Sequence, residues 1–123
     1  MAELPLDYDL LARVGAKSKT FEAGEKVFLE DDLGTGLYIV KSGRVDIITY
    51  GTVLENVRAG GIIGEMALID DGPRSAAAIA AEPTEVVAID KPMFLELIRA
   101  EPEFALHVMR LLTHRLRKMN QHL

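Results

Sequence analysis

The hydrophobic positions of this chain fall into three textures. Leu6, Leu10, Leu11 and Val14 recur at helical spacing and stop at Gly15, which predicts a short amphipathic helix over about residues 6–14. From residue 17 to 90 the pattern changes to short runs rich in β-branched and aromatic residues. These are Val27-Phe28, Leu37-Tyr38-Ile39-Val40, Val45 to Tyr50, Thr52-Val53-Leu54, Ala76 to Ala81 and Thr84 to Ile89. Glycine-bearing turns at Gly24, Gly34 to Gly36, Gly43, Gly51 and Gly60-Gly61 punctuate them. Such spacing predicts an antiparallel sandwich or roll, and no long helical segment intervenes to build a parallel α/β sheet. After Asp90 the helical period returns. Pro92 suits the first turn of a helix over about 91–100, and Pro102 opens a final helix over about 102–122. Linkers, repeats and low-complexity stretches are absent, so residues 1–123 read as one domain.

The final helix carries two apolar stripes. Ala105, Met109, Leu112, Leu116, Met119 and Leu123 alternate spacings of four and three, a short heptad seam, while Phe104, Val108 and Leu111 mark another face. One stripe is expected to pack on the roll and the other to meet a partner, either another protein or a second copy in a weak homodimer. The histidines, His107, His114 and His122, all lie in this helix and lack a third ligand nearby, so solvated side chains are expected and no metal site.

Composition narrows the class. Hydrophobic residues make up 49% and charged residues 27%, an ordinary globular balance, with a formal net charge of -5 that disfavours nucleic acid as a partner. Cysteine is absent, which excludes disulfides and thiolate chemistry. No apolar run approaches the roughly 20 residues of a membrane span, and the N-terminus resembles no signal peptide, so a cytoplasmic location is the default. The basic residues Arg110, Arg115, Arg117 and Lys118 read as cations near a helix C-terminus, snorkelling over apolar surface. No residue set pairs a nucleophile with a positioned base, so neither catalysis nor a cofactor is expected.

The segment richest in chemistry runs from Gly64 to Ala76. Gly64 permits unusual backbone angles before a short helical turn at Glu65 to Ile69, whose free N–H groups could seat a phosphate beside small Ala67. Arg74 follows a Gly-Pro turn that folds the chain back, and its planar fork matches two phosphate oxygens; Ser75 adds a hydroxyl donor. Glu65 would repel a phosphate but suits a sugar hydroxyl close by. Taken alone, the pair also fits a surface helix turn with an Arg–Glu ion pair. Gly34-Thr35-Gly36 lacks the further residues of a glycine-rich phosphate loop.

This segment resembles the phosphate-binding cassette of the cyclic nucleotide-binding domain family. Ala23-Gly24-Glu25 before a strand, the Leu37 to Gly43 stretch, and Gly60 with Gly64 resemble its flanking features. The resemblance implies a mainly β fold: an eight-stranded antiparallel jelly roll with a short N-terminal helix, a cassette helix and two C-terminal helices. It implies that Glu65 binds the ribose 2′-hydroxyl and Arg74 the cyclic phosphate, with backbone amides near Met66, Ala67, Ser75 and Ala76 completing the cradle around Gly64. Ile47, Leu54 and Val57 match base-lining positions, and Met119 and Asn120 fall nearest the base. Ser75 favours cAMP over cGMP, for which the family more often carries threonine. The chain departs from the pattern at Asp31, usually glycine, and at Gly61-Ile62, where an acidic-aromatic pair is common. A stand-alone sensor is the expected function. The alternatives are the sensor half of a transcription regulator, though no helix-turn-helix precedes the end at Leu123, and a ligand-free interaction domain.

Overall fold

Asp7 starts the first helix by accepting a 2.7 Å hydrogen bond from the Leu10 amide, and Gly15, at φ +89°, turns the chain out of it. The computed structural model describes residues 3–121, with four helices and eight strands among them. In chain order they are α1 (Tyr8–Arg13), β1 (Lys17–Phe21), β2 (Lys26–Phe28), β3 (Leu37–Ser42), β4 (Arg44–Thr49) and β5 (Thr52–Arg58). Then come β6 (Ile62–Ile63), α2 (Glu65–Asp70), β7 (Ala77–Ala80), β8 (Thr84–Ile89), α3 (Lys91–Ala100) and α4 (Glu103–Gln121). Every strand pairing is antiparallel, in two four-stranded sheets ordered β1-β8-β3-β6 and β2-β7-β4-β5. This is the expected eight-stranded roll.

Two strands carry too little pattern to stand out in the sequence. β1 is exposed along Lys17–Thr20 and only Phe21 turns partly inward, while β6 is two residues long. Their register against β8 and β3 comes from the tertiary fold.

The strands β3 and β8 bury both faces, which is why they read as continuous apolar runs. On one side Val40 and Val86 join Val45, Val57, Ile63 and Ala78 inside the roll. On the other, Leu37, Ile39, Val87 and Ile89 meet Leu11, Phe94, Leu97, Phe104, Val108 and Leu111 of the helices. Phe94 and Phe104 pack edge to face at 5.6 Å, locking α3 to α4.

On α4 the stripe Phe104, Val108 and Leu111 is the one packed inward, and Met109, Leu116 and Met119 are more than half exposed. Leu123 and His122 lie outside the described residues. His107 departs from the expectation of a solvated side chain. It is 8% exposed, and burial, aided by the nearby Arg110 charge, holds its pKa below the usual histidine value.

The two departures from the family pattern have local causes. A Cβ at residue 61 would lie 2.4 Å from Val57 Cγ1, so glycine fits the tight end of β5, and Ile62 packs in the helical core. Asp31 holds a left-handed φ of +69°, the conformation glycine adopts without strain. Asp31→Gly is therefore expected to raise stability by about 0.5–1 kcal/mol, the relieved strain exceeding the added chain entropy. Urea unfolding at unchanged m-value checks this; a loss of stability would contradict it.

Candidate binding site

Gly64, at φ +81°, turns the chain from β6 into α2 and places Glu65 at the helix start, 3% exposed. Beyond α2, Asp71 takes a left-handed φ of +56° and the Asp70 carboxylate accepts the Gly72 amide at 2.9 Å. This turn returns the chain to Arg74. The Arg74 backbone pairs with the β2–β3 connection: its amide donates to the Asp32 carbonyl at 2.9 Å and its carbonyl accepts from Asp31 at 2.8 Å.

The Arg74 side chain is 4% exposed. Its guanidinium lies over Phe28, 4.4 Å from the ring centre, with Tyr38 at 5.9 Å, and donates from Nη1 to the Gly64 carbonyl at 2.9 Å. The buried Nε has no hydrogen-bond partner, and no ion pair involving Arg74 is found among the described residues. Burial lowers the guanidinium pKa, against the pull of Tyr38, Asp32 and Glu65. A buried cation without a counter-ion is costly, on the order of several kcal/mol, and the natural remedy is an anion.

Glu65 is ion-paired, but with Arg115 of α4 and not with Arg74. Arg115 Nη1 donates to Glu65 Oε1 at 2.5 Å, Nε and Nη2 reach the two oxygens of Glu55 at 3.0 Å each, and Nη2 also reaches the Ile62 carbonyl at 2.8 Å. Burial would depress the Arg115 pKa, but the two carboxylates raise it. Burial likewise works to raise the Glu55 pKa, and the Arg115 hydrogen bonds and charge bring it below the ordinary value. Arg115 thus joins α4 to β5, β6 and α2. This corrects the reading of Arg115 as a snorkelling cation. Neither it nor Glu55 was singled out in the sequence as a site residue, and the only signal was Arg115's place in a basic run.

The remaining candidates divide. Ala67 and Ala76 are buried, Met66 is half-buried, and exposed Ser75 directs its hydroxyl to Met66 Sδ at 3.9 Å. Ile47 of β4 pairs with Glu55 of β5, and Leu54 sits at the bulge next to it, 47% exposed. Val57 is closed into the roll core. Met119 and Asn120 stand exposed on the last turns of α4. A cavity of about 320 Å³ has Arg74, Gly34, Tyr38 and Ala88 in its wall, and a larger one of about 490 Å³ lies away from the cassette near Thr20, Ser42 and Thr84. Among the described residues no cluster of three metal-ligating side chains occurs, and no helix is long and apolar enough to cross a membrane.

Comparison with known proteins identifies the family. Residues 18–101 match the family model described as the cyclic nucleotide-binding domain. The chain is 37% identical over 105 residues to the "Cyclic AMP receptor protein" of Thermus thermophilus, covering 81% of this chain and 49% of that one. It is 32% identical over 82 residues to the "cAMP-dependent protein kinase regulatory subunit" of Yarrowia lipolytica, covering 67% and 22%. It therefore spans about half or less of these relatives' lengths. The crystal structure of the Thermus thermophilus catabolite activator protein superposes with a TM-score of 0.80 at 33% identity, covering 95% of this chain and 58% of that one. With the family model covering most of its length, this chain belongs to the cyclic nucleotide-binding domain family.

Proposed function

We infer that this chain is a cytoplasmic sensor module that binds a cyclic nucleotide, cAMP in preference to cGMP, and relays binding through α4. The observation that carries the reading is the buried Arg74 guanidinium, which has an unpartnered Nε and, among the described residues, no carboxylate in ion-pair contact. A phosphodiester supplies the missing negative charge and oxygens shaped for the arginine fork. Gly64, Met66, Ala67, Ser75 and Ala76 frame that seat. Glu65 gives one oxygen to Arg115, and its other oxygen accepts the ribose 2′-hydroxyl.

Ile47 and Leu54 form the apolar side of the base site, with Val57 behind them in the roll core and Met119 and Asn120 closing over the base from α4. Two observations support cAMP: the short Ser75 hydroxyl, and relatives whose names carry that nucleotide. No catalytic, metal or nucleic-acid role enters this reading.

The relay has a physical basis in Arg115, because a ligand that engages Glu65 acts on the side chain that holds α4. The exposed Met109, Leu116 and Met119, with half-buried Leu112, support a weak homodimer along that helix.

Calorimetric titration tests the ligand. Wild type should bind cAMP more tightly than cGMP, and Arg74→Ala should weaken cAMP binding by about 2–4 kcal/mol, roughly 30- to 1,000-fold. A variant within about threefold of wild type would remove Arg74 from the site. Light scattering tests the helix: wild type should show a dimer that Leu112→Glu with Leu116→Glu abolishes while cAMP still binds. A monomer at high micromolar concentration, with and without cAMP, would exclude the dimer.

A further inference from the structure

We propose that Gly34, in the connection between β2 and β3, is a positioning residue for the phosphate-binding arginine, its missing side chain leaving the space that the Arg74 guanidinium occupies. The proposal rests on the cyclic nucleotide reading and adds to it a residue outside the cassette.

A Cβ on Gly34 would lie 2.3 Å from Arg74 Nε, 2.4 Å from Nη2 and 2.5 Å from Cζ, far inside van der Waals contact. The Phe28 ring lies 4.4 Å from Cζ, and at Gly64 a Cβ would lie 2.5 Å from Nη1. The guanidinium is thus packed among two glycines and an aromatic face. The backbone bonds between Asp31, Asp32 and Arg74 hold the connection at this distance.

The sequence around Gly34 supplies a contrast that separates positioning from folding. At Gly36, two residues on, an added Cβ would meet the backbone carbonyl of Ile89 at 2.6 Å. That atom belongs to a strand end and cannot yield without disturbing the sheet. At Gly34 the atoms met are the end of one long, flexible side chain. A methyl group there displaces the arginine and leaves the roll standing, so its cost falls on ligand binding.

The test compares Gly34→Ala, Gly36→Ala and wild type by thermal unfolding, by cAMP titration, and by the NMR shift that the Phe28 ring induces in the Arg74 side-chain protons. Gly34→Ala is expected to unfold within a few degrees of wild type, to bind cAMP roughly tenfold or more weakly, and to lose the ring-induced shift. Gly36→Ala should lower the unfolding temperature and keep that shift. Affinity within about twofold of wild type and an unmoved Arg74 shift in Gly34→Ala would overturn the proposal. If wild type binds no cyclic nucleotide, the functional reading falls and the shift alone decides: a moved resonance upholds Gly34, an unmoved one overturns it. If Gly34→Ala does not fold, adding Arg74→Ala removes the clash and should restore folding, and failure to restore it would overturn the proposal.

Discussion

A guanidinium buried without a counter-ion is the constraint around which the cassette end of the roll is built. Arg74 is charged, almost fully enclosed and joined by one hydrogen bond to a backbone carbonyl. Such a group is destabilising by itself. Its surroundings hold it in place without neutralising it. Phe28 and Tyr38 present ring faces, glycines at 34 and 64 leave room, and the Asp31 and Asp32 backbone pins the residue's own peptide groups. A roll interior made only for stability would place a leucine or methionine there. On the proposed reading the arrangement is a preorganised anion receptor, whose cost would be offset by a bound phosphate.

The second organising contact is Arg115. It carries polar chemistry of the roll onto α4, whose inward face is otherwise led by the apolar stripe Phe104, Val108 and Leu111. One guanidinium serves two carboxylates from different elements, so Glu65 is held in orientation by a residue 50 positions later. On the proposed reading, ligand recognition and helix position therefore share a side chain. No longer route is needed to connect the phosphate seat with the C-terminal helix.

The cassette was legible in the sequence because its residues lie in one run and each has a chemistry suited to phosphate or sugar. The roll was legible because β3, β4 and β8 are rich in β-branched and other large apolar side chains, with glycine turns around β3 and β4. What escaped was what depends on distance along the chain. Glu55 and Arg115 are 60 residues apart, and neither has a local signature. β1 is polar and edge-placed, and β6 is too short for a period. His107 differs from the expectation because its seven-residue spacing to His114 implies equal surroundings. Apolar burial along α4 instead ends at Leu112, leaving His114 exposed and His107 under the core. Asp31 was legible as a departure, but its left-handed backbone could not be read from residue type alone.

The central claim is that Arg74 is paired by the ligand's negative charge. The most direct measurement is calorimetric titration of the wild-type protein with cAMP and with a neutral alkyl phosphotriester of cAMP, which keeps base, ribose and ring but lacks the charge. The account predicts that the triester binds roughly 30-fold or more weakly, the loss expected when a buried cation is left unpaired. Equal affinity for the charged and neutral ligands would contradict it.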